Sequence, residues 1–278
     1  SNILKEGISK SSNNNNYNPD VWCPDDEKTT EYPQVQQVVD LFFFLLVKKY
    51  ISSKKPEKLL FLWAIPPIMT KNLDKEGLGS IVANYDIFYI DLWGVVHNGI
   101  ALHKNAIETL EQISKSNKDY VLLTNAPRPS KTVKSFLEKM GMNIQIREKV
   151  YSSGEAALSY LNKNYSSEKF YHIGPPRDFD LFLDFRKNKE EKISKSSYLL
   201  CTGLFDDESM DLNYYKDLLK DQIKKTMICT NPDLIVDRGN KRELCAGSVA
   251  LIFEKMGGKV VYFGKPFPEV YNQSINNK

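Results

Sequence analysis

The chain has 278 residues, 41% of them hydrophobic and 26% charged, with 38 Lys+Arg against 35 Asp+Glu for a net charge of +3. That length suits about two domains, and the interspersed charges form no basic stripe of the kind that grips nucleic acid. Cys23, Cys201, Cys229 and Cys245 are widely spaced with no Cys-x-x-Cys pair, so they read as reduced core thiols of a cytoplasmic chain and not as a disulfide frame. Residues 11–18 are rich in serine and asparagine, and the polar stretch to Tyr32 predicts loop or disorder. Residues 38–47 and 59–68 are apolar runs of only about ten residues, too short to cross a bilayer, and a buried strand or amphipathic helix is expected for each. A signal peptide fits badly. No methionine precedes Met69; residues 1–72 therefore read as an N-terminal extension, partly disordered, with 1–68 a non-native or degraded upstream segment.

Residues 87–96, Ile-Phe-Tyr-Ile-Asp-Leu-Trp-Gly-Val-Val, are the most informative stretch. The apolar run lacks polar alternation, as a parallel strand buried on both faces does. It delivers Asp91 to the carboxyl edge of a sheet, where open α/β sheets bind ligands. Gly94 lets the backbone turn away closely, so the amides of Leu92, Trp93 and Gly94 could face an anion. Taken alone, Asp91 reads equally well as a helix cap or turn residue. Next come an apolar helical face at Ala106, Ile107, Leu110 and Ile113, a second strand at 121–125 ending in Thr124 and Asn125, and a second helical face at Val133, Phe136, Leu137 and Met140. A strand and turn at 150–154 and a short helix to Leu161 follow.

From about Tyr165 the pattern changes. Residues 170–173, 198–201 and 227–230 read as short strands, and 212–225 and 242–256 as helices. Thr230-Asn231-Pro232-Asp233 and Cys245-Ala246-Gly247 punctuate this part, and Asn231, Asp233 and Gly247 are candidates to face a site, with turn chemistry and close packing as the competing reading. A third strand then leads to Phe263-Gly264-Lys265-Pro266. The alternation of strands and helices argues for α/β architecture with a parallel sheet and crossover helices. His97, His103 and His172 show no metal-ligand spacing and read as surface or site-bordering residues, with His97 closest in sequence to Asp91.

An aspartate in a strand-end glycine turn, a strand-end threonine and a distant Gly-Lys-Pro, in that order, resemble the haloacid dehalogenase-like superfamily. The resemblance is nearest to its subgroup with a large C2-type cap, the p-nitrophenyl phosphatase and pyridoxal phosphate phosphatase kind, and covers roughly Leu73 to Tyr271. It implies a Rossmann-like core with its first part at 73–164, an inserted α/β cap at 165–259 and a return to the core at 260–278. It implies a phosphatase in which Asp91 attacks phosphorus, Thr124 and nearby amides hold the phosphoryl oxygens, and Lys265 neutralises charge. The substrate is then a small phosphorylated molecule, contacted by Leu92, Trp93, Gly94, Asn125, Asn231, Asp233 and Gly247. Mg2+ is implied too, on Asp91 and the Trp93 backbone carbonyl. No membrane partner is expected, and cap strands suit pairing between copies of the chain. The chemistry agrees with the residue types, because phosphoryl transfer is mostly positioning and stabilisation of spread negative charge.

Two departures from the resembled pattern bear on activity. The family reads Asp-x-Asp, its second carboxylate being the general acid, whereas Trp93 stands here. A positioned acid is worth about 10²–10⁴ in rate, roughly 3–5 kcal/mol of barrier, so leaving groups that depart without a proton should suffer less. The chain also ends at Lys278, short of the Gly-Asp motif whose acid completes the family's magnesium site. Three expectations follow: an aspartyl-phosphate phosphohydrolase, an impaired phosphate-ester-binding protein, or an inactive fragment. Dehalogenation, whose halide needs no proton, stays as a minor rival.

Overall fold

The computed structural model describes residues 59–61, 77–207, 211–238 and 241–276. The readings of residues 1–68 as a degraded upstream segment and of 1–72 as an extension fall, apart from residues 59–61, outside the described residues, as does that of Cys23 as a core thiol. The chain divides into two compact units, Ser1–Phe88 and Tyr89–Lys278. The first holds strand β1 (Leu59–Phe61), helix α1 (Gly79–Val82) and the start of β2 (Ile87–Ile90). All four β2 residues are buried, as their lack of polar alternation requires.

Within the second unit, β2 leads into a parallel sheet with β3 (Asp119–Thr124) and β4 (Val150–Ser152). The register sets Leu122 against Val150 and Thr124 against Ser152. Both strands therefore end at the same edge. Helix α2 (Lys104–Lys115) precedes β3 and buries Leu110 and Ile113. Helix α3 (Ser130–Lys139) buries Val133 and Leu137, but Phe136, expected on the same inward face, is 41% exposed and meets the His97 ring edge-on. A short helix α4 (Ile144–Arg147) leads to β4, and Ser152 caps α5 (Ser153–Asn164) by accepting the Glu155 N–H at 3.1 Å.

The second sheet is entirely parallel, in the order β10, β7, β6, β5, from β5 (Phe170–Ile173), β6 (Tyr198–Cys201), β7 (Thr226–Cys229) and β10 (Lys259–Tyr262). Because β10 pairs with β7, this sheet runs to Tyr262, past the boundary expected at 259. Helices α6 (Leu212–Leu219) and α7 (Ala246–Lys255) cover it. Their core joins Leu199, Tyr215, Met227, Val249 and Phe253 to the thiols of Cys201 and Cys229, which are free and buried like Cys245. After β10 the chain returns to the first sheet. On α8 (Pro268–Asn276), the Tyr271 carbonyl accepts from Tyr89 at 3.3 Å, and Gln273 Oε1 accepts from Tyr151 at 2.9 Å. The second sheet is thus inserted into the unit that carries the first.

Two elements here differ from the sequence expectation. Residues 235–244 form an antiparallel hairpin, β8 (Ile235–Arg238) and β9 (Lys241–Leu244), in register Arg238 to Lys241, so the helix expected from 242 begins only at Ala246. Residues Pro176–Asn188 wind as a kinked 3₁₀ segment that buries Leu181, Phe182 and Phe185. His172, expected near the surface, is instead 7% exposed, with Nε2 at 2.8 Å from the Thr202 hydroxyl, and burial lowers its pKa to about 4. Among the described residues no helix is long and apolar enough to cross a membrane.

Candidate active site

Asp91 follows β2 directly and lies half-buried, its carboxylate ion-paired with the Lys265 ammonium across 174 residues of sequence. Thr124 closes β3 beside it in the sheet order. The three motifs singled out in the sequence therefore belong to one sheet edge and its returning loop. Thr124 is 7% exposed and its Oγ1 accepts the Ala126 N–H at 3.2 Å, which leaves its hydroxyl proton to be donated elsewhere.

In the turn after Asp91, the Gly94 amide is committed within the turn. Gly94 has φ +76, the left-handed conformation a glycine adopts without strain. Its N–H, however, donates to the His97 carbonyl at 2.8 Å, and the N–H groups of Val95, Val96 and His97 all converge on the Leu92 carbonyl. Gly94 contributes a turn, and its amide is spent within it. The Leu92 side chain is 1% exposed and packs inward, so Leu92 can meet a ligand only through its backbone.

Trp93 occupies the position two residues beyond the nucleophile candidate. Its indole N–H donates to the Asp237 carbonyl of β8 at 3.0 Å, and its ring meets His97 edge-on at 5.4 Å. A Cβ placed on Gly99 would come within 2.7 Å of the ring, so Gly99 is what lets the indole lie flat on the turn. The paired strands β8 and β9, whose Asp237 carbonyl the indole reaches, were not expected from the sequence. The sequence signal for them is Gly239-Asn240 between two four-residue runs, a pair common in two-residue hairpin loops. His97 lies under Trp93, 4% exposed, with Nδ1 accepting the Gly99 N–H at 3.0 Å. Burial lowers its pKa, outweighing the opposing pull of Asp91, so it is neutral at pH 7 and stands behind the tryptophan.

Asn125 clamps the lysine. Its Oδ1 accepts the Lys265 N–H at 2.6 Å while its Nδ2 donates to the Lys265 carbonyl at 3.0 Å and to Asp233 Oδ1 at 2.8 Å. The side-chain amide expected to touch substrate is thereby committed to the loop that carries Lys265. Gly264, at φ +124, permits that approach, since a Cβ there would stand 2.7 Å from Asn125 Oδ1. Asn231 and Gly247 have structural work too. Asn231 Oδ1 accepts the Asp233 N–H at 3.0 Å in a local turn, and the Gly247 N–H donates to the Asp233 carbonyl at 3.1 Å. A Cβ on Gly247 would fall 2.2 Å from the Pro232 carbonyl oxygen. Gly247→Ala is accordingly expected to lower stability by about 1–3 kcal/mol through overpacking; urea unfolding measures it, and an unchanged midpoint would contradict the packing described.

Asp233 is enclosed by this arrangement. Burial raises its pKa to about 6, with Asp91 adding to the rise and Lys265 and Asn125 opposing it. A cavity of about 690 Å³ lies elsewhere, between α3 and β4, and none of Asp91, Thr124 or Lys265 lines it. Six of the charged residues lining it pair among themselves, Lys134 with Glu148, Arg147 with Glu138 and Lys149 with Asp119.

Magnesium takes close to six oxygens in octahedral order. Among the described residues no group of three or more His, Cys, Asp and Glu side chains could hold a metal. Asp91 is engaged by Lys265, and position 93 supplies an indole in place of a carboxylate. The donor set expected from sequence, Asp91 and the Trp93 carbonyl, does not make a magnesium cage by itself.

Comparison with known proteins agrees with this geometry. Residues 88–185 match the model of the haloacid dehalogenase-like hydrolase family. Phosphoglycolate phosphatase 2 of Arabidopsis thaliana is 25% identical over 166 residues, which are 52% of this chain and 53% of that protein; the chain thus spans about half the length of this curated relative. A haloacid dehalogenase-like hydrolase from Brucella suis 1330 superposes with a TM-score of 0.66 at 28% identity, over 75% of this chain and 78% of its own. The 4-nitrophenylphosphatase of Thermotoga maritima shares the fold at a TM-score of 0.56 and 22% identity, covering 71% of this chain and 75% of its own. Taken with the second sheet inserted in sequence before the chain returns to the first, and an aspartate ion-paired to a distant lysine at the sheet edge, these matches identify residues 88–185 as a haloacid dehalogenase-like hydrolase domain.

Proposed function

We propose that the chain is a phosphohydrolase for a small phosphorylated molecule, working through an aspartyl phosphate on Asp91. The observation that carries this reading is the Lys265 ammonium held against the Asp91 carboxylate beside the end of β3. In the first step an Asp91 oxygen attacks phosphorus and the bond from phosphorus to the leaving oxygen breaks, with the electron pair departing on that oxygen. In the second, water attacks phosphorus, the bond to Asp91 breaks, and inorganic phosphate and a proton are released. Lys265 and the Thr124 hydroxyl meet the charge that spreads over the phosphoryl oxygens. The inserted second sheet acts as a cap that excludes water and sets the choice of leaving group.

Position 93 narrows the substrate class. Its N–H is a neutral donor already committed to Asp237, so it gives no proton to a departing alkoxide. Aryl and acyl phosphates, whose leaving groups need none, are therefore preferred. Of the names carried by the relatives, 4-nitrophenyl phosphate fits this preference better than phosphoglycolate. Steady-state rates on 4-nitrophenyl phosphate, acetyl phosphate and phosphoglycolate decide it. The aryl and acyl esters are expected to exceed the alkyl ester in kcat by about 10²-fold or more, and equal rates would contradict the role given to Trp93. A second reading, retention of phosphate esters without turnover, draws on the same observation; binding of all three esters with no release of phosphate would establish it.

A further inference from the structure

Lys265 can serve the proposed reaction only if its ammonium stays over Asp91, and nothing covalent keeps the loop at 263–266 there. Two side chains in series help to hold it. Asn125 grips both the N–H and the carbonyl of Lys265, at 2.6 and 3.0 Å, and its remaining amide hydrogen goes to Asp233 Oδ1 at 2.8 Å. An asparagine amide can be flipped end for end, and a flipped Asn125 would set its NH₂ against the Lys265 N–H. The Lys265 N–H and carbonyl already oppose that flip, and the Asp233 carboxylate, which accepts only from the NH₂ side, adds a third bond against it.

From this geometry we infer that Asp233 is a positioning residue, which fixes the orientation of Asn125 and through it seats Lys265 on the nucleophile. The assignment rests on the phosphohydrolase reading and goes beyond it, since Asp233 reaches the reaction through two other residues. The surrounding backbone supports the assignment. The Asp233 N–H is tied to Asn231 Oδ1 at 3.0 Å and its carbonyl to the Gly247 N–H at 3.1 Å, so the carboxylate is presented from a fixed turn. The charged and titratable groups facing it are Asp91, Lys265 and the thiols of Cys229 and Cys245. Burial raises both thiols, which stay neutral and do not compete for Asn125.

Asp233 itself titrates at about 6. When ionised it accepts a charge-assisted bond from Asn125, stronger than the bond to the neutral acid. The seat of Lys265 therefore tightens as pH rises through that value. The test is kcat and KM on 4-nitrophenyl phosphate from pH 5 to 8 for wild type, Asp233→Asn and Asp233→Ala. Asp233→Ala, which removes one of the three bonds that orient Asn125, is expected to lower kcat by about 10–100-fold with little change in KM, as loss of alignment does. Asp233→Asn keeps an acceptor and is expected to recover most of that loss. The ratio of wild-type to Asp233→Asn kcat rises through about pH 6, titration of the substrate being common to both and cancelling. A flat ratio, with the Asp233→Asn rate no higher than that of Asp233→Ala, would overturn the assignment while leaving the phosphohydrolase intact. Should Asp233→Ala fail to fold, the pH dependence of the ratio with Asp233→Asn decides alone. A wild type that turns over no phosphate ester at any pH removes both readings together.

Discussion

Asp91→Asn is expected to abolish hydrolysis of aryl and acyl phosphates, a loss of about 10⁴-fold or more, because the amide cannot form the acyl phosphate on which the two-step reaction depends. The substitution is nearly isosteric, so the turn of residues 92–97, built on the Leu92 and His97 carbonyls, is retained. It does remove the carboxylate charge beside Lys265, whose side chain is 11% exposed. Taking an opposite charge from a largely enclosed ammonium costs stability, by about 1–3 kcal/mol here since water still reaches the Asp91 side. Unfolding of the variant must therefore be measured beside its rate. Asp91→Glu separates the two effects, as it keeps the charge for Lys265 and misplaces the attacking oxygen by one methylene. A folded Asp91→Asn chain that retains even a tenth of the wild-type rate would remove Asp91 from the mechanism.

The second large effect is a gain. Trp93→Asp is expected to raise turnover of alkyl phosphates by about 10²–10⁴-fold, the worth of a positioned general acid, and to change aryl phosphates by less than about tenfold. An aspartate two residues past Asp91 can protonate the departing oxygen and later take the proton of the attacking water, neither of which indole can do. The substitution also removes the bond to Asp237 and the ring contacts with His97 and Gly99, which hold the hairpin of residues 235–244 to the turn after the nucleophile. Trp93→Phe is the control. It retains the flat contact on Gly99 and loses the N–H, so it loosens the hairpin without supplying an acid, and alkyl phosphate turnover stays at the wild-type level. If Trp93→Phe raises alkyl turnover as much as Trp93→Asp does, the limit lies in the hairpin contact and not in the missing acid.

Much of the site was legible in the sequence because strand ends are easily read. An apolar run without polar alternation places its following residue at a sheet edge, which located Asp91 and Thr124, and Lys265 fell into place through the order of the motifs. What the sequence could not show is where side-chain hydrogen bonds go. Asn125, Asn231 and Gly247 lie near the site as expected, yet Asn125 grips the Lys265 backbone, Asn231 closes a turn and Gly247 accommodates the Pro232 carbonyl. Polar residues and glycines serve backbone and ligand alike, and composition does not separate the two uses. Of the three amides expected to face an anion after Asp91, that of Gly94 is likewise taken up by a carbonyl inside the turn.

Elements of the second sheet were lost where periodicity is weak. Residues 176–188 bury Leu181, Phe182 and Phe185 at spacings that would also suit an α-helix, yet the segment winds as 3₁₀ with non-helical backbone at Phe182 and Phe185. Residues 242–244 were read into the helix expected from 242 because Arg242 and Glu243 suit a helix as well as an exposed strand, and only the Gly239-Asn240 pair marked a hairpin. Phe136 fits the helical stripe of α3, but the neighbouring surface there is the His97 ring and solvent, not the sheet.

The account stands on Asp91 as the atom that takes the phosphoryl group. The most direct measurement is the intact mass of the chain, acid-quenched within milliseconds of mixing with acetyl phosphate or 4-nitrophenyl phosphate, followed by peptide mapping. The account predicts a single added phosphoryl group, on the peptide containing Asp91, absent from Asp91→Asn and lost on return to neutral pH. Release of inorganic phosphate by the folded wild type with no phosphorylated peptide at any quench time, or with the group on another residue, would contradict it.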